Sequence, residues 1–274
     1  MTRLNTPMDP PGKAPAPPIP AAQPLLPPLR TVSVGAPLRW LGAGWADLAA
    51  TRFVGVFYGA CFAAMGWMIA AMYAGFWKFT MGLTASFFLL GPFVCCGVYW
   101  LSRQRERGEK PSLGESLTCW SRNPKSIGFF AAILTFVVVI WARISVITFA
   151  LFSTHDFPTV QGMLAQIFTF GNLEFIAVWF GVGFIFASLV FAVSVVAVPM
   201  MLDRGTDTMI AIFTSFASLA RNPLPLYLWA ALIVALIGSS LVAGFWPLLL
   251  TAPWIGHATW HAYRDLVGEA PATL

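Results

Sequence analysis

The chain has 274 residues, of which 58% are hydrophobic and only 10% are charged, and its formal net charge at pH 7 is +5. An ordinary soluble domain is about half apolar and about a quarter charged, so this composition excludes a typical water-soluble fold. The basic residues lie at the edges of apolar segments instead of forming a stripe between aromatic residues, which argues against nucleic-acid binding.

The N-terminal segment, residues 1–32, is rich in proline and contains no continuous apolar core of the length that a signal peptide needs. We expect it to be a disordered cytoplasmic tail, since such composition favours extended polyproline-like chain. Residues 33–268 are predicted to form one integral membrane domain, followed by a short C-terminal tail at residues 269–274.

Long uncharged runs follow the tail. A bilayer core requires about 20 apolar residues in a helix, so membrane spans can be read from such runs. The sequence predicts about six spans: Phe53 to Trp77, Thr80 to Leu101, Ile127 to Phe152, Leu173 to Leu202, Leu224 to Gly244, and Phe245 to about Tyr263. The last is the weakest prediction, because it contains Pro247, Pro253 and two histidines.

Basic residues predict the orientation of these spans. Lys and Arg are concentrated before the first span, between the second and third, and between the fourth and fifth, whereas residues 153–172 contain none. Short loops rich in Lys and Arg stay in the cytoplasm. We therefore expect a multi-pass protein of the bacterial inner membrane with both termini in the cytoplasm.

A tripeptide recurs where two of the spans begin, as Arg122-Asn123-Pro124 and as Arg221-Asn222-Pro223. Each copy follows a short amphipathic stretch, at residues 111–120 and 207–220. We interpret this as an internal repeat of one interfacial helix and two spans, occurring about three times. The predicted fold class is thus all-α, a polytopic membrane helical bundle.

The sequence resembles a bacterial family of predicted integral membrane proteins of unknown function, domain of unknown function 2189, at residues 37–40 with 44–48, at residues 198–204 with 221–223, and at residues 256–266. The resemblance covers roughly Ser33 to Val267, and the C-terminal stretch is its most specific part. Some members carry a label as cytochrome c oxidase subunits. A haem-copper catalytic core needs about six histidines, whereas this chain has three, so the label is compatible only with an accessory or assembly relationship.

His257 and His261 are candidate metal ligands. They lie four positions apart, on one helical face, which would allow both to bind one metal ion. In the register of the repeat, His257 corresponds to Cys96, whose thiol could add a further ligand. The alternative interpretation is that both histidines are interfacial anchors and hydrogen-bond donors near the end of the last span.

Arg143 is a candidate intramembrane charge, since it lies well inside the third predicted span. Glu174 is the nearest acidic partner in the predicted topology, and Asp156 is the second. The pair could be a structural ion pair, or Arg143 could extend to the interface; a substrate or proton path is the other interpretation.

Two further patterns predict structure more than chemistry. Asp203-Arg204 and Arg264-Asp265 repeat an acid beside a base at the cytoplasmic ends of helices, which is typical of salt-bridged helix ends. The four cysteines fall in predicted helices or on the cytoplasmic side, so we expect no disulfide framework.

No catalytic or phosphate-binding motif was recognised in the sequence. The first hypothesis is a non-enzymatic accessory, scaffold or assembly protein without a cofactor. Its partners would be the lipid bilayer and a membrane complex, with a respiratory complex as one candidate, and no nucleic acid. The alternatives are a carrier or channel with a path near Arg143, and a metal- or haem-binding membrane protein that uses His257 and His261.

Overall fold

The computed structural model describes residues 26–76, 95–152 and 173–268. Its regular structure is helical throughout these ranges, apart from one isolated bridge between Leu29 and Val267. The helices are α1 (Ala36–Thr51), α2 (Phe53–Phe76), α3 (95–106), α4 (Leu113–Thr118) with a 3-10 turn at Cys119–Arg122, α5 (Pro124–Phe152), α6 (Leu173–Ser194), α7 (Ala197–Arg204), α8 (Thr208–Arg221), α9 (Pro223–Val242) and α10 (Leu248–Leu266).

Four stretches of these helices are long and apolar enough to cross a membrane: Phe53–Ala71, Pro124–Ile144, Phe180–Arg204 and Pro223–Val242. Between 17% and 33% of the residues in their most apolar windows are buried, so most residues of these windows keep some accessible surface, which is compatible with lipid contact. The predicted all-helical membrane bundle is confirmed. The number of spans and the repeat stay predictions.

Two of the six predicted spans are not among these four stretches. Most of the second, from Thr80 to Leu101, lies outside the described residues, which contain only its end in α3. The last one corresponds to α10, which is a continuous helix with Pro253 inside it but is not among the four apolar stretches.

Helix α10 lies at the centre of the packing and approaches two other helices very closely. A Cβ atom on Gly44 of α1 would lie 2.6 Å from the backbone nitrogen of Ala258, and one on Gly59 of α2 would overlap the carbonyl of Leu249. Only residues without a side chain allow backbones to approach this closely. The two glycines therefore fix α1 and α2 against α10.

The fourth predicted span, Leu173 to Leu202, is interrupted. The helix stops at Ser194 and resumes at Ala197 as α7. Pro199 contributes to the interruption, because proline cannot donate to the carbonyl one turn earlier. The backbone N–H of Val196 donates instead to the Ser215 hydroxyl at 3.2 Å, so α8 satisfies a donor that the break exposes.

Helix α8 buries small polar residues and exposes large apolar ones, which is the reverse of the usual pattern in soluble proteins. Its buried face consists mainly of small hydroxyl residues, among them Thr208, Thr214, Ser215 and Ser218, each at most 1% exposed. Its exposed face carries Met209, Phe213 and Phe216, each more than 40% exposed. Small polar residues inside and large apolar residues outside are typical of helices that contact lipid. The arrangement agrees with an interfacial position for α8.

Residues just before α1 contact the end of α10. Leu29 and Val267 form an antiparallel bridge, and the Arg30 N–H donates to the Leu266 carbonyl at 2.8 Å. Asn222 adds a second tie, because its side chain donates to the Arg30 carbonyl and accepts from the Val32 N–H. Residues 28–32, which the sequence places in the tail, are therefore held against the membrane domain; residues 1–25 lie outside the described part.

Candidate functional site

A buried polar cluster, the Asp47 cluster, joins α1, α3 and α10. Asp47 accepts hydrogen bonds from the Ser102 hydroxyl at 2.6 Å and from His261 Nε2 at 2.9 Å. Arg105 donates to the other carboxylate oxygen and also to the Ala46 carbonyl. Asp47, the one acidic residue of α1, therefore accepts hydrogen bonds from two other helices.

His257 completes the cluster. It is fully buried, with Nδ1 2.7 Å from the Ser102 hydroxyl and Nε2 3.3 Å from the Thr51 hydroxyl. Ser102 has one hydroxyl proton, and a carboxylate can only accept, so that proton goes to Asp47. His257 must then donate from Nδ1 to Ser102, which leaves Nε2 as an acceptor beside the Thr51 hydroxyl. The one proton of that hydroxyl goes either to Nε2 or to the Leu48 carbonyl, 3.1 Å away.

These contacts determine how Asp47 ionises. Burial tends to raise the pKa of its carboxyl, but the hydrogen bonds from His261 and Ser102 and the charges of the two imidazoles outweigh that effect. The pKa is therefore lower than its ordinary value of 3.8, and Asp47 is a carboxylate at neutral pH. A buried carboxylate with several donors is stable only while those donors stay in place.

The order of the groups differs from that of a hydrolytic triad. In a triad the histidine lies between the nucleophile and the acid, so it can remove the nucleophile's proton. Here Ser102 lies between His257 and Asp47, and it is 1% exposed. The Ser102 proton is held by Asp47, so this geometry binds helices together and does not activate the serine.

A second cluster, the Asp203 cluster, joins the ends of α3, α7 and α10. Asp203 accepts from Arg103 Nε and from the Tyr263 hydroxyl, both at 2.8 Å. Arg264 lies within 3.7 Å of the same carboxylate. The side chains of Arg103 and Asp203 are 12% and 13% exposed, so this is a largely buried ion pair.

Neighbouring contacts extend the Asp203 cluster. Arg204 donates to the Tyr263 hydroxyl and to the Gly268 carbonyl, both at 2.8 Å. Glu106 accepts from Trp260 Nε1 and from Arg264. The acid and base pairs predicted from the sequence as salt-bridged helix ends therefore join different helices, since the acid next to Arg204 pairs with Arg103.

The structure brings His257 and His261 together around one carboxylate. Both His257 nitrogens and His261 Nε2 take part in the hydrogen bonds described above. Within residues 26–76, 95–152 and 173–268, no three His, Cys, Asp or Glu side chains are arranged to hold a metal ion. The four cysteines are free thiols, and Cys96 and Cys119 are buried.

Arg143 and Glu174 are not brought together. Both residues are exposed, and no ion pair or hydrogen bond joins them in the part of the chain that the structure describes. The alternative partner Asp156 lies outside the described residues, as does the third histidine, His155.

Residues 79–203 match the family described as Predicted integral membrane protein (DUF2189). The predicted resemblance is confirmed over these residues, which include α3, α5, α6 and nearly all of α7. The match ends before the C-terminal stretch, residues 256–266. No curated protein and no solved structure matches the chain.

Sequence reasoning named Asp203 at a salt-bridged helix end but missed Asp47, the acid at the centre of the other cluster. Asp47 is the one acidic residue of α1, and a single acid in a largely apolar helix is a usable signal for a buried partner. Ser102 and Arg105 gave no such signal, because polar residues near a helix end are ordinarily solvated.

Proposed function

We propose that this protein is a non-enzymatic accessory or scaffold protein of the bacterial inner membrane, with both termini in the cytoplasm. The proposal rests on the hydrogen-bond partners of two buried acids. Asp47 and Asp203 direct their carboxylate oxygens to donors on other helices. Groups engaged in this way stabilise the packing of a bundle and are not available to a substrate.

The outer surface of α5 supports an accessory role. Its span, Pro124–Ile144, is the least buried of the four, at 17%. Large apolar side chains line its exposed surface: Phe129, Phe136 and Val139 are 55%, 67% and 59% exposed. Such a surface can pack against lipid or against a helix of another membrane protein. We infer that a helix of a membrane complex covers it, with a respiratory complex as the first candidate because of the label that some family members carry.

Purification of the tagged protein from native membranes in a mild detergent tests this proposal. We expect a stoichiometric membrane complex to be recovered with the wild-type protein and to be lost when Phe129, Phe136 and Val139 are replaced by alanine. A matched variant on α9, with Leu224 and Val234 replaced by alanine, removes exposed apolar side chains elsewhere and should retain the complex. Recovery of the protein alone, or equal loss in both variants, would overturn the proposal.

A further inference from the structure

Trp120, Arg122 and Lys125 form an exposed corner between the 3-10 turn and α5, which we call the Arg122 corner. Trp120 is 49% exposed, and both basic residues are exposed. The first apolar span of this region begins at Pro124, between the two basic residues. The corner therefore lies at the boundary of this span, at the depth of the lipid headgroups.

The Arg122 guanidinium lies over the ring of the buried Trp100. It lies 4.3 Å from the ring centroid of Trp100, and Arg103 lies 4.7 Å from the same ring. Trp100 is 2% exposed, and its indole N–H has no hydrogen-bond partner among the described residues. Stacking on an aromatic face orients a guanidinium and leaves its N–H groups free to bind an anion.

The charge at this corner is not balanced by an acid. Arg103, the other cation on the Trp100 ring, is paired with Asp203. No carboxylate in the described ranges forms an ion pair with Arg122 or Lys125. The acids on adjacent helices have other partners, since Glu115 accepts from Gln104 and Asp207 accepts from the Met209 N–H.

We propose that the Arg122 corner binds the phosphate headgroup of an anionic phospholipid. Arg122 and Lys125 supply two positive charges, and Trp120 supplies an amphipathic ring suited to the membrane interface. The acyl chains would then enter the bilayer on the Trp120 side of the corner, beside the α5 surface that the partner helix covers. The exposed Trp120 ring distinguishes a lipid from a free phosphate ion, which needs only the charges.

The repeat of the tripeptide provides a matched control. Arg221 occupies the position of Arg122 in Arg221-Asn222-Pro223, but Leu224 stands where Lys125 stands, and Arg221 donates to the Thr31 hydroxyl. Removing Arg221 therefore changes the net charge as much as removing Arg122 does, without altering the Arg122 corner.

Binding of fluorescent phosphatidylglycerol to the detergent-purified full chain tests the proposal, with phosphatidylcholine as the zwitterionic comparison. We expect Arg122→Gln and Lys125→Gln each to weaken phosphatidylglycerol binding about fivefold, and Arg221→Gln to change it less than about twofold. Lys125 is exposed and forms no hydrogen bond or ion pair with the described residues, so Lys125→Gln keeps the test valid if Arg122→Gln does not fold.

Three outcomes would overturn the proposal. The first is equal weakening by Arg221→Gln, which would indicate a response to net charge alone. The second is equal binding of phosphatidylglycerol and phosphatidylcholine. The third is displacement of the lipid by inorganic phosphate at low millimolar concentration, which would indicate a site for a free anion.

Discussion

His261 Nε2 lies 2.9 Å from Asp47 Oδ2, although 214 positions separate the two residues in the chain. This contact fastens the last described helix to the first one. Arg105 and Ser102 of α3 reach the same carboxylate. One acidic side chain therefore connects three helices that are remote in sequence.

Replacing Asp47 by alanine should strongly destabilise the protein. Arg105 and His261, whose side chains are 31% and 30% exposed, would lose their common acceptor, and removal of one partner from a buried ionic network costs about 3 to 5 kcal/mol. Thermal unfolding in detergent measures the loss. Glu109→Ala, which removes an exposed carboxylate, should change stability by less than about 0.5 kcal/mol. A similar melting temperature for both variants would contradict the structural role of Asp47.

Asp47 should also make stability dependent on pH in the acid range. Its pKa is lower in the folded protein than the ordinary value of 3.8, so its stabilisation is complete above that value and is lost as the pH falls through the folded pKa. Unfolding measured from about pH 5 down to about pH 2.5 should show a steeper loss in the wild type than in Asp47→Asn. Parallel curves would show that Asp47 does not contribute the proton uptake.

Gly44 and Gly42 provide a paired test of the contact between α1 and α10. A Cβ atom at Gly44 would lie 2.6 Å from the backbone of Ala258, whereas one at Gly42 meets nothing within 4 Å. Gly44→Ala should therefore cost about 1 to 3 kcal/mol through overpacking. Gly42→Ala should be neutral or stabilising by up to about 1 kcal/mol, because alanine favours helix. Equal effects on unfolding would mean that α1 lies farther from α10.

Ser215→Ala should leave the Val196 N–H without its acceptor at the break between α6 and α7. A buried unsatisfied donor costs about 1 to 3 kcal/mol. Ser239→Ala is the control, because Ser239 is exposed and bonds only to the Leu236 carbonyl of its own helix. Hydrogen exchange at Val196 and the melting temperature report the effect; protection that persists in Ser215→Ala would show that another group accepts from Val196.

The ends of α3, α7 and α10 should lie on one side of the membrane, because Arg103, Asp203 and Tyr263 are in hydrogen-bond contact. Cysteine introduced at Glu109, which follows α3, and at Arg221, which contacts Thr31 next to the end of α10, should react with a membrane-impermeant reagent from the same side. Labelling of intact cells and of inverted vesicles makes this measurement. We expect reaction in inverted vesicles only, since the basic residues near these ends predict the cytoplasmic side.

Local features of the sequence were sufficient to predict the class of the fold. Apolar runs such as residues 127–152 and 224–244 are long enough to cross a bilayer, and helix formation satisfies their backbone groups within the run itself. The interruption at Val196 was harder to predict from the sequence, because Pro199 alone does not show where a helix breaks. Its position depends on Ser215, a residue of another helix.

The partners of the charged residues were decided by the tertiary structure. The sequence predicted salt-bridged helix ends at Asp203-Arg204, without naming the partners, and left His257 and His261 as either metal ligands or interfacial hydrogen-bond donors. The structure pairs Asp203 with Arg103, and it places both histidines around Asp47. The physical reason is the sequence separation over which each feature is determined. A span is a property of about 20 consecutive residues. An ion pair needs two side chains within a few ångströms, and only the packing of helices remote in sequence fixes that distance.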